Sequence, residues 1–149
     1  MAKPKTLLGS KLILLLGNAA TPEVFSAPCG LTSRGINFSK ETSDVTVVDC
    51  DDPEAPAWQE RAVRSLSGTI SGSGILALEA FPTWRDFFFS TATKTIRIKI
   101  DAVLADNGGY WQGKFHCTTF NLTGEIGEKI GVEIELINDG EITWVPASA

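Results

Sequence analysis

The sequence contains 149 residues, of which 43% are hydrophobic and 21% are charged, and its formal net charge is −5. This length fits one domain, and this composition argues against a disordered chain. The acidic balance argues against strong binding to a nucleic acid backbone, because such binding depends on clustered Lys and Arg. We therefore expect a single domain over residues 1–149 that does not grip nucleic acid.

The first apolar run, Lys11–Leu16, predicts a buried strand. Lys3 and Lys5 precede the run and Ala19-Ala20 follows it, a pattern that loosely resembles a secretory signal peptide and remains an alternative interpretation. No apolar stretch approaches the roughly 20 residues that span a bilayer. We therefore expect no membrane contact.

Three further segments have strand character before residue 50. Val24–Ala27 is a short candidate, Ser33–Lys40 alternates between larger and small polar residues, and Asp44–Val48 continues in the β register. The larger side chains of the alternating segment are Arg34, Ile36 and Phe38. Its opposite face is small and polar.

An acidic segment that contains two prolines, Asp49–Trp58, follows these strands. Proline excludes a central strand or a stable helix, so we predict a loop over about residues 49–60, long enough to make contacts. The clustered aspartates suggest a calcium loop as an alternative, but the glycine and the distal glutamate of an EF-hand are missing. A solvated acidic loop without a metal is the better interpretation.

The longest predicted strand, Arg61–Gly74, is followed directly by a predicted amphipathic helix, Ile75–Thr91. Hydroxyl side chains occupy one face of the strand at every second position, and glycines near its end suggest bends or close backbone approach. We expect the helix to cover the sheet. It carries more aromatic side chains than one face needs, Phe89 among them, so some should pack against a second surface. The candidates for packing or a subunit interface are Phe81, Trp84, Phe87 and Phe88.

The next predicted strand, Lys94–Leu104, alternates throughout. Its inward side chains are predicted to be Ile96, Ile98, Ile100, Ala102 and Leu104. Asp106–Gly109 contains Asn-Gly, which favours a type I′ turn. Tyr110–Thr123 is then the returning strand, and its aromatic residues change from odd to even positions, so we predict a β-bulge near Cys117–Thr119.

A turn at Gly124–Glu128 leads to one more inward stripe, and Ile142–Val145 forms the last strand. The stripe consists of Ile130, Val132, Ile134 and Leu136. Glu133 and Glu135 lie on its opposite face. The whole chain is predicted to contain about eight strands and one helix.

The sequence contains none of the usual catalytic or cofactor-binding motifs. His116, the single histidine, lies mid-strand and is expected to be structural. No nucleophile elbow, phosphate-binding loop or dinucleotide motif is present, so we predict neither an enzyme nor a cofactor. Cys29, Cys50 and Cys117 are odd in number and widely spaced, and we interpret them as reduced and mostly buried.

The order of these features resembles the major tail (tail tube) proteins of long-tailed bacteriophages and gene transfer agents. Six segments carry the resemblance: Cys29–Ser39, Glu41–Thr46, the region of Trp58, Arg64–Gly74, Gly113–Phe120 and Ile134–Gly140. The resemblance implies a mainly β protein, an antiparallel β-sandwich or half-barrel with one flanking α-helix. It also implies a virion protein, assembled in the host cytoplasm, whose hexameric rings stack into a tube for DNA ejection.

The resemblance implies partners and surfaces as well. The chain would bind copies of itself and other tail proteins such as the tape measure and terminator, while DNA passes through the lumen without specific binding. Small polar and acidic groups would let DNA slide, and the lumen candidates are Ser67, Thr69, Ser71, Glu133 and Glu135. The loop candidates for ring-to-ring contact are Asp49, Asp51, Asp52, Glu54 and Trp58. The helix aromatics named above are candidates for packing or a subunit interface.

Two alternatives remain open from the sequence. One is the tube protein of a related contractile or type VI secretion machine, which would share the fold and differ in cargo. The other is a carbohydrate-binding β-sandwich that uses Trp58, Trp84 or Trp111 as a sugar platform, which would require exposed, coplanar rings.

Overall fold

The computed structural model describes residues 2–18 and 24–148. These residues form one antiparallel sheet of eight strands and one α-helix, which confirms the predicted mainly β class. The elements are β1 (Leu12–Gly17), β2 (Phe25–Ser26), β3 (Leu31–Asp44), β4 (Arg61–Ile75), α1 (Phe81–Phe89), β5 (Lys94–Ile100), β6 (Gly109–Thr123), β7 (Gly131–Asn138) and β8 (Thr143–Pro146). The Ala19-Ala20 pair of the signal-like pattern lies outside the described residues.

The sheet has the strand order β2-β1-β5-β6-β7-β4-β3, and β8 pairs with β6. Its core face forms because apolar side chains recur at every second position along the central strands. The buried side chains are Leu14, Leu16, Ile70, Ala80, Trp84, Phe87, Ile96, Ile98, Phe115, Val132, Ile134 and Leu136. One continuous core therefore holds five strands and the helix together.

The two ends of the sheet curl toward each other without pairing. The Arg34 guanidinium on β3 donates hydrogen bonds to the backbone carbonyls of Leu12 and Ser10 near the start of β1. Across the curled sheet, the ring of Phe38 on the end strand β3 also approaches Trp111 on the central strand β6, with centroids 5.1 Å apart. The sheet is thus a half-barrel that remains open, and side chains bridge the gap.

Strands β3 and β4 extend beyond the rest of the sheet. β7 pairs with β4 only from Thr69 to Ile75, whereas β3 pairs with β4 along its whole length. Residues 39–44 and 61–67 therefore form a two-stranded ribbon, which we call the arm. The loop of residues 45–60 closes its end.

Helix α1 is shorter than the predicted Ile75–Thr91. Ile75 still belongs to β4, and a turn at residues 78–80 precedes the start of the helix at Phe81. Pro82 explains this start, because proline lacks a backbone N–H and fits the first turn of a helix but not its interior. The helix ends at Phe89, before Thr91.

Two strand boundaries also differ from prediction. β3 ends at Asp44, so the predicted continuation to Val48 is wrong. The Asp44 carboxylate accepts hydrogen bonds from the backbone N–H and the hydroxyl of Thr46. These bonds form a local turn that competes with pairing in the sheet. These bonds also lower the pKa of Asp44. β5 ends at Ile100, so Leu104 is exposed in a short 3₁₀ helix and does not face inward.

The predicted type I′ turn is also absent from the β5–β6 connection. Asn107 has a left-handed conformation with φ 64°, but it follows the 3₁₀ helix Leu104–Asp106 and is not followed by a second left-handed residue. Ile130, expected to face inward, is exposed because β7 begins one residue later. The β-bulge is confirmed, since the β6–β7 register shifts between Cys117 and Thr119.

Candidate assembly surfaces

The five predicted lumen residues lie together on the face opposite the core. Ser71 is the cross-strand neighbour of Glu135, and Ser73 is the neighbour of Glu133. Thr69 and Ser67 continue the same face along β4, because Ile70 and Gly68 between them point to the core side. The structure thus brings these side chains together on one surface, which we call the polar face, while their role in lining a lumen stays a prediction.

Small uncharged side chains complete the polar face around the two glutamates. A shallow cleft of about 310 Å³ lies there, lined by Ser33, Ser71, Gly72, Ser73, Thr119, Glu133, Ile134 and Glu135. Neither glutamate forms an ion pair within residues 2–18 and 24–148. The face can therefore hold a layer of water and repel phosphate groups.

His116 lies on the same side of the sheet. It is the cross-strand neighbour of Ile137, and its Nε2 is 3.4 Å from the Asp139 carboxylate. Both side chains are partly exposed. The imidazole therefore has a polar partner at the border of the polar face.

Two strand edges beside the polar face are unpaired in the described chain. β3 pairs only with β4, and β6 beyond Phe115 pairs only with β7. The four strands β3, β4, β7 and β6 are successively antiparallel, so the two edge strands run in opposite directions. The β6 edge of one copy could thus meet the β3 edge of another in an antiparallel arrangement.

The predicted loop is longer than expected, covering residues 45–60, and lies at the end of the arm. The backbone N–H of Val45 donates to Glu60 O, and the Glu60 N–H donates to the Thr46 hydroxyl, which closes the base of the loop. Trp58 is 93% exposed. The other predicted contact residues, Asp49, Asp51, Asp52 and Glu54, are also exposed. A solvent-exposed tryptophan side chain at the end of a projecting arm is typical of a surface that is covered in an assembly.

The four helix aromatics divide into two pairs. Trp84 and Phe87 are buried in the core, so they pack the helix and are not available to another subunit. Phe81 and Phe88 contact Phe120 of β6, with ring centroids 6.3 and 6.5 Å away. These contacts support the predicted role in helix packing, and the role in an interface remains a prediction.

Phe89 is one of the surplus aromatics of the helix but not one of the four interface candidates, and it is 78% exposed. It lies five positions beyond Trp84, which corresponds to about 140° around a helix, so a helical projection could have identified it. Leu66 and Val63 on the arm were also missed. They are exposed although they continue the apolar side of β4.

The cysteine prediction is wrong for two of the three residues. Cys29 and Cys50 are exposed, because they lie in a turn before β3 and in the arm loop. Cys117 is half-buried at the β-bulge and donates a weak hydrogen bond to Thr119 O at 3.4 Å. Burial raises the pKa of the Cys117 thiol to about 11. Only this thiol is protected.

The tryptophans do not form the exposed platform that a sugar-binding site would need. Trp84 is in the core. Trp111 packs between Phe38 and Trp144, and the ring centroids of Trp111 and Trp144 are 4.7 Å apart. Of the three candidates only Trp58 is fully exposed. Within the described residues no group of His, Cys, Asp or Glu could hold a metal ion, and no helix is long and apolar enough to cross a membrane.

Comparison with known proteins identifies the family. Residues 6–144 match the family described as "Phage tail tube protein". The chain belongs to the phage tail tube protein family. Members of this family are structural proteins of the phage tail and not enzymes, as the sequence predicted. A comparison with curated proteins found no match.

Solved structures agree with the fold of this tail tube protein. The tail of an empty gene transfer agent particle, refined with C6 symmetry, has a TM-score of 0.75 and 23% identity, covering 94% of this chain and 99% of that chain. The virion of a native gene transfer agent particle has a TM-score of 0.73 and 23% identity at the same coverage. The SPP1 tail tube has a TM-score of 0.68 and 9% identity, covering 97% of this chain and 81% of that chain.

Proposed function

We propose that this tail tube protein forms hexameric rings that stack into the tube of a phage or gene transfer agent tail, and that the polar face lines the lumen. The observation that carries the proposal is the four-stranded section β3-β4-β7-β6, which has unpaired edges of opposite direction on either side. The C6 symmetry of the similar gene transfer agent tail supports a ring of six. The interface is heterologous, because each copy uses two different edges.

The dimensions of such a ring are compatible with a DNA conduit. Six copies of four strands would give about 24 strands; at a spacing of about 4.8 Å and a tilt of about 40°, they enclose a backbone diameter of about 48 Å. After side chains are added, duplex DNA of about 20 Å diameter still passes. A tube of this size admits duplex DNA, and the polar face would surround it.

The chemistry of the polar face suits passage without binding. Serine and threonine side chains keep a layer of water, and Glu133 and Glu135 repel phosphate. Lysine or arginine on this face would instead attract the DNA backbone. We therefore propose that DNA slides past the polar face during ejection.

A charge reversal on the polar face tests this role. In particles carrying Glu133→Lys and Glu135→Lys together, we expect slower DNA ejection at low salt and recovery as salt rises, because screening weakens the added attraction. Glu133→Gln and Glu135→Gln provide the matched control, since they remove charge without adding attraction. Ejection of the lysine variant at the wild-type rate would contradict the placement of this face in the lumen.

We also propose that the arm loop contacts the next ring of the stack. The loop residues named above are exposed and lie at the end of the arm, where a neighbouring ring could cover Trp58. Replacing residues 49–58 by a short Gly-Ser linker keeps the Val45–Glu60 closure and should yield monomers or isolated rings. Tubes of normal length from this variant would refute the contact.

The assembly itself is tested by electron microscopy of the purified, concentrated protein at neutral pH, with mass measured by light scattering. Hollow six-fold rings or tubes are the expected result. A protein that remains monomeric at all concentrations would argue against self-assembly by this chain alone. Other tail proteins, such as the tape measure and terminator, and assembly in the host cytoplasm belong to the same proposal.

A further inference from the structure

The core side of the arm stays apolar after the core has ended. Phe38 and Leu66 are 48% and 68% exposed. The β-bulge after Glu41 gives Arg64 no opposite residue in the β3–β4 register, which keeps Val63 on the same side as Leu66. A cleft of about 310 Å³ lies at the base of the arm. Its lining is Phe38, Ser39, Lys40, Leu66, Ser67, Asn138, Gly140, Glu141 and Ile142. We call this the arm cleft.

The outward side of α1 carries the opposite shape, a projecting aromatic ring. Phe89 follows Arg85 by four positions and Asp86 by three, so all three side chains lie on one side of the helix. The Arg85 Nε is 3.4 Å from the Asp86 carboxylate. An exposed ring thus stands beside one positive and one negative charge.

We propose that Phe89 of one subunit packs into the arm cleft of the next subunit within the ring. This inference rests on the proposed hexameric ring and assigns the residues that hold neighbouring subunits together. Every subunit would contribute one helix and one arm, as a closed heterologous ring requires.

Both surfaces lie on the same side of the sheet and at opposite edges of the four-stranded section. α1 packs on the core side of β6, through the contacts of Phe81 and Phe88 with Phe120. Phe38, Lys40 and Leu66 of the arm cleft are on the core side of β3 and β4. Where the β6 edge of one subunit meets the β3 edge of another, the helix and the cleft therefore lie on the same side of the joint.

The height of the two surfaces in a ring follows from the strand tilt. Perpendicular to the strands, Phe120 is in line with Ile134, Gly72 and Arg34 of its own subunit. Four strands spaced about 4.8 Å and tilted about 40° displace the neighbouring subunit by about 16 Å along the strands, which is about five residues. The neighbour's Phe120 is then beside a residue about five positions before or after Arg34.

The direction of this displacement follows from the hydrogen-bond pattern of the β3–β4 hairpin. At its two ends, Val45 N donates to Glu60 O and Ile75 N donates to Gly30 O, so both of these are hydrogen-bonded pairs. Hydrogen-bonded and non-hydrogen-bonded pairs alternate along an antiparallel ladder, and following this alternation from either end makes Ile36 and Ile70 a non-hydrogen-bonded pair. For L-residues, β4 is then to the left of an upward-running β3 seen from the core side. With the right-handed coiling of β-barrels, the displacement is toward the arm, at about Phe38 and Ser39.

Charge complementarity supports the same pairing. Lys40 and Glu141 at the rim of the arm cleft form no ion pair within residues 2–18 and 24–148. Asp86 can approach Lys40 and Arg85 can approach Glu141 when Phe89 enters the cleft. The contact also covers the apolar side of a two-stranded ribbon, a structure that is only marginally stable when exposed on both faces.

A cysteine pair tests the contact directly. Cys29→Ser and Cys50→Ser remove the exposed thiols, and Leu66→Cys with Phe89→Cys is then added to the same chain. Oxidation of assembled protein should give a ladder of covalent oligomers up to hexamers, because each bond joins two neighbours in a ring. The matched control replaces Phe89→Cys with Val103→Cys, an exposed position in the β5–β6 connection, and should remain monomeric on a denaturing gel.

A charge exchange provides a second measurement. Lys40→Glu and Asp86→Lys should each raise the concentration needed for ring formation by several-fold, and the double variant should restore it toward wild type. Equal thermal unfolding of the dilute monomers controls for folding. Rings that form without the Leu66–Phe89 cross-link, and that are indifferent to both charge changes, would overturn this contact and leave the hexamer intact. A wild-type protein that forms no rings would argue against self-assembly by this chain alone, which is a failure of the proposed ring and not of this contact.

Discussion

Replacement of Asn138 by alanine should loosen the base of the arm. Asn138 is the last residue of β7, and its Oδ1 accepts a hydrogen bond of 3.0 Å from the backbone N–H of Gly68. Gly68 is one residue beyond the final β4–β7 pair, Thr69 with Ile137. The asparagine side chain thus supplies the acceptor where the backbone pairing of β4 with β7 has ended, and it holds β4 where the arm begins.

The expected loss of stability depends on the buried backbone N–H of Gly68. Asn138→Ala leaves the N–H of buried Gly68 without an acceptor, which should lower the free energy of unfolding by about 1–3 kcal/mol. Asn138→Asp keeps an acceptor for Gly68 and loses the 2.8 Å bond from Nδ2 to the exposed Gly140, so its cost should be below about 1 kcal/mol. The two variants should therefore differ.

Urea unfolding of the dilute protein, followed by tryptophan fluorescence, measures these costs. With a slope near 2 kcal/mol per M, the midpoint should fall by about 0.5–1.5 M for Asn138→Ala and by less than about 0.5 M for Asn138→Asp. Hydrogen exchange of the Gly68 amide should accelerate in the alanine variant only. Equal midpoints for both variants, with unchanged exchange at Gly68, would refute the argument that this bond anchors the arm.

Two further predictions concern the helix and the buried thiol. Trp84→Ala should lower the free energy of unfolding by about 3–5 kcal/mol because it opens a cavity in the core, whereas Phe89→Ala should change it by no more than about 0.5 kcal/mol. Thermal unfolding of the monomers distinguishes the two variants, and equal losses would contradict the observed burial. At pH 8, Cys117 should react with an alkylating reagent on the order of 100-fold more slowly than the two exposed cysteines, because burial raises its pKa and so lowers the fraction of thiolate. Three thiols that react at one rate in the folded protein would contradict this.

The strands were predictable from sequence where one face is buried. Ile96 and Ile98 alternate with polar residues because the side chains of a strand point to opposite faces, and both are in the core as expected. The bulge between Cys117 and Thr119 was predictable for the same reason, since an extra residue reverses the alternation. Long-range pairing was not needed for either inference.

Boundaries set by local hydrogen bonds were harder to predict. Nothing in the alternation of Asp44–Val48 shows that the Asp44 side chain turns the chain toward Thr46, so the strand was extended too far. The apolar pattern that begins at Ile75 likewise gave too early a start for the helix, although Pro82 was a usable signal. Such errors occur because period alone does not show where a side chain competes with the backbone.

The polar face was only partly predictable. Period two places Ser71 and Glu135 on outer faces of their own strands, but their position as direct neighbours depends on the β4–β7 register, which is set by contacts far apart in sequence. The arm was missed for the same reason. The arm exists because the pairing of β7 with β4 ends at Thr69, and the sequences of β3 and β4 do not show how far β7 extends.

The arm shows that its own sequence suits an assembly better than an isolated monomer. A strand that only needed to fold this domain could become polar on both sides once the core ends beyond Ile70, yet Leu66 and Val63 remain apolar and exposed, while Ser65 and Ser67 keep the opposite side hydrophilic. Exposed apolar groups in a solvated ribbon add nothing to the stability of the monomer and promote association. This pattern fits the proposed ring, in which the neighbouring subunit would cover the apolar side of the arm.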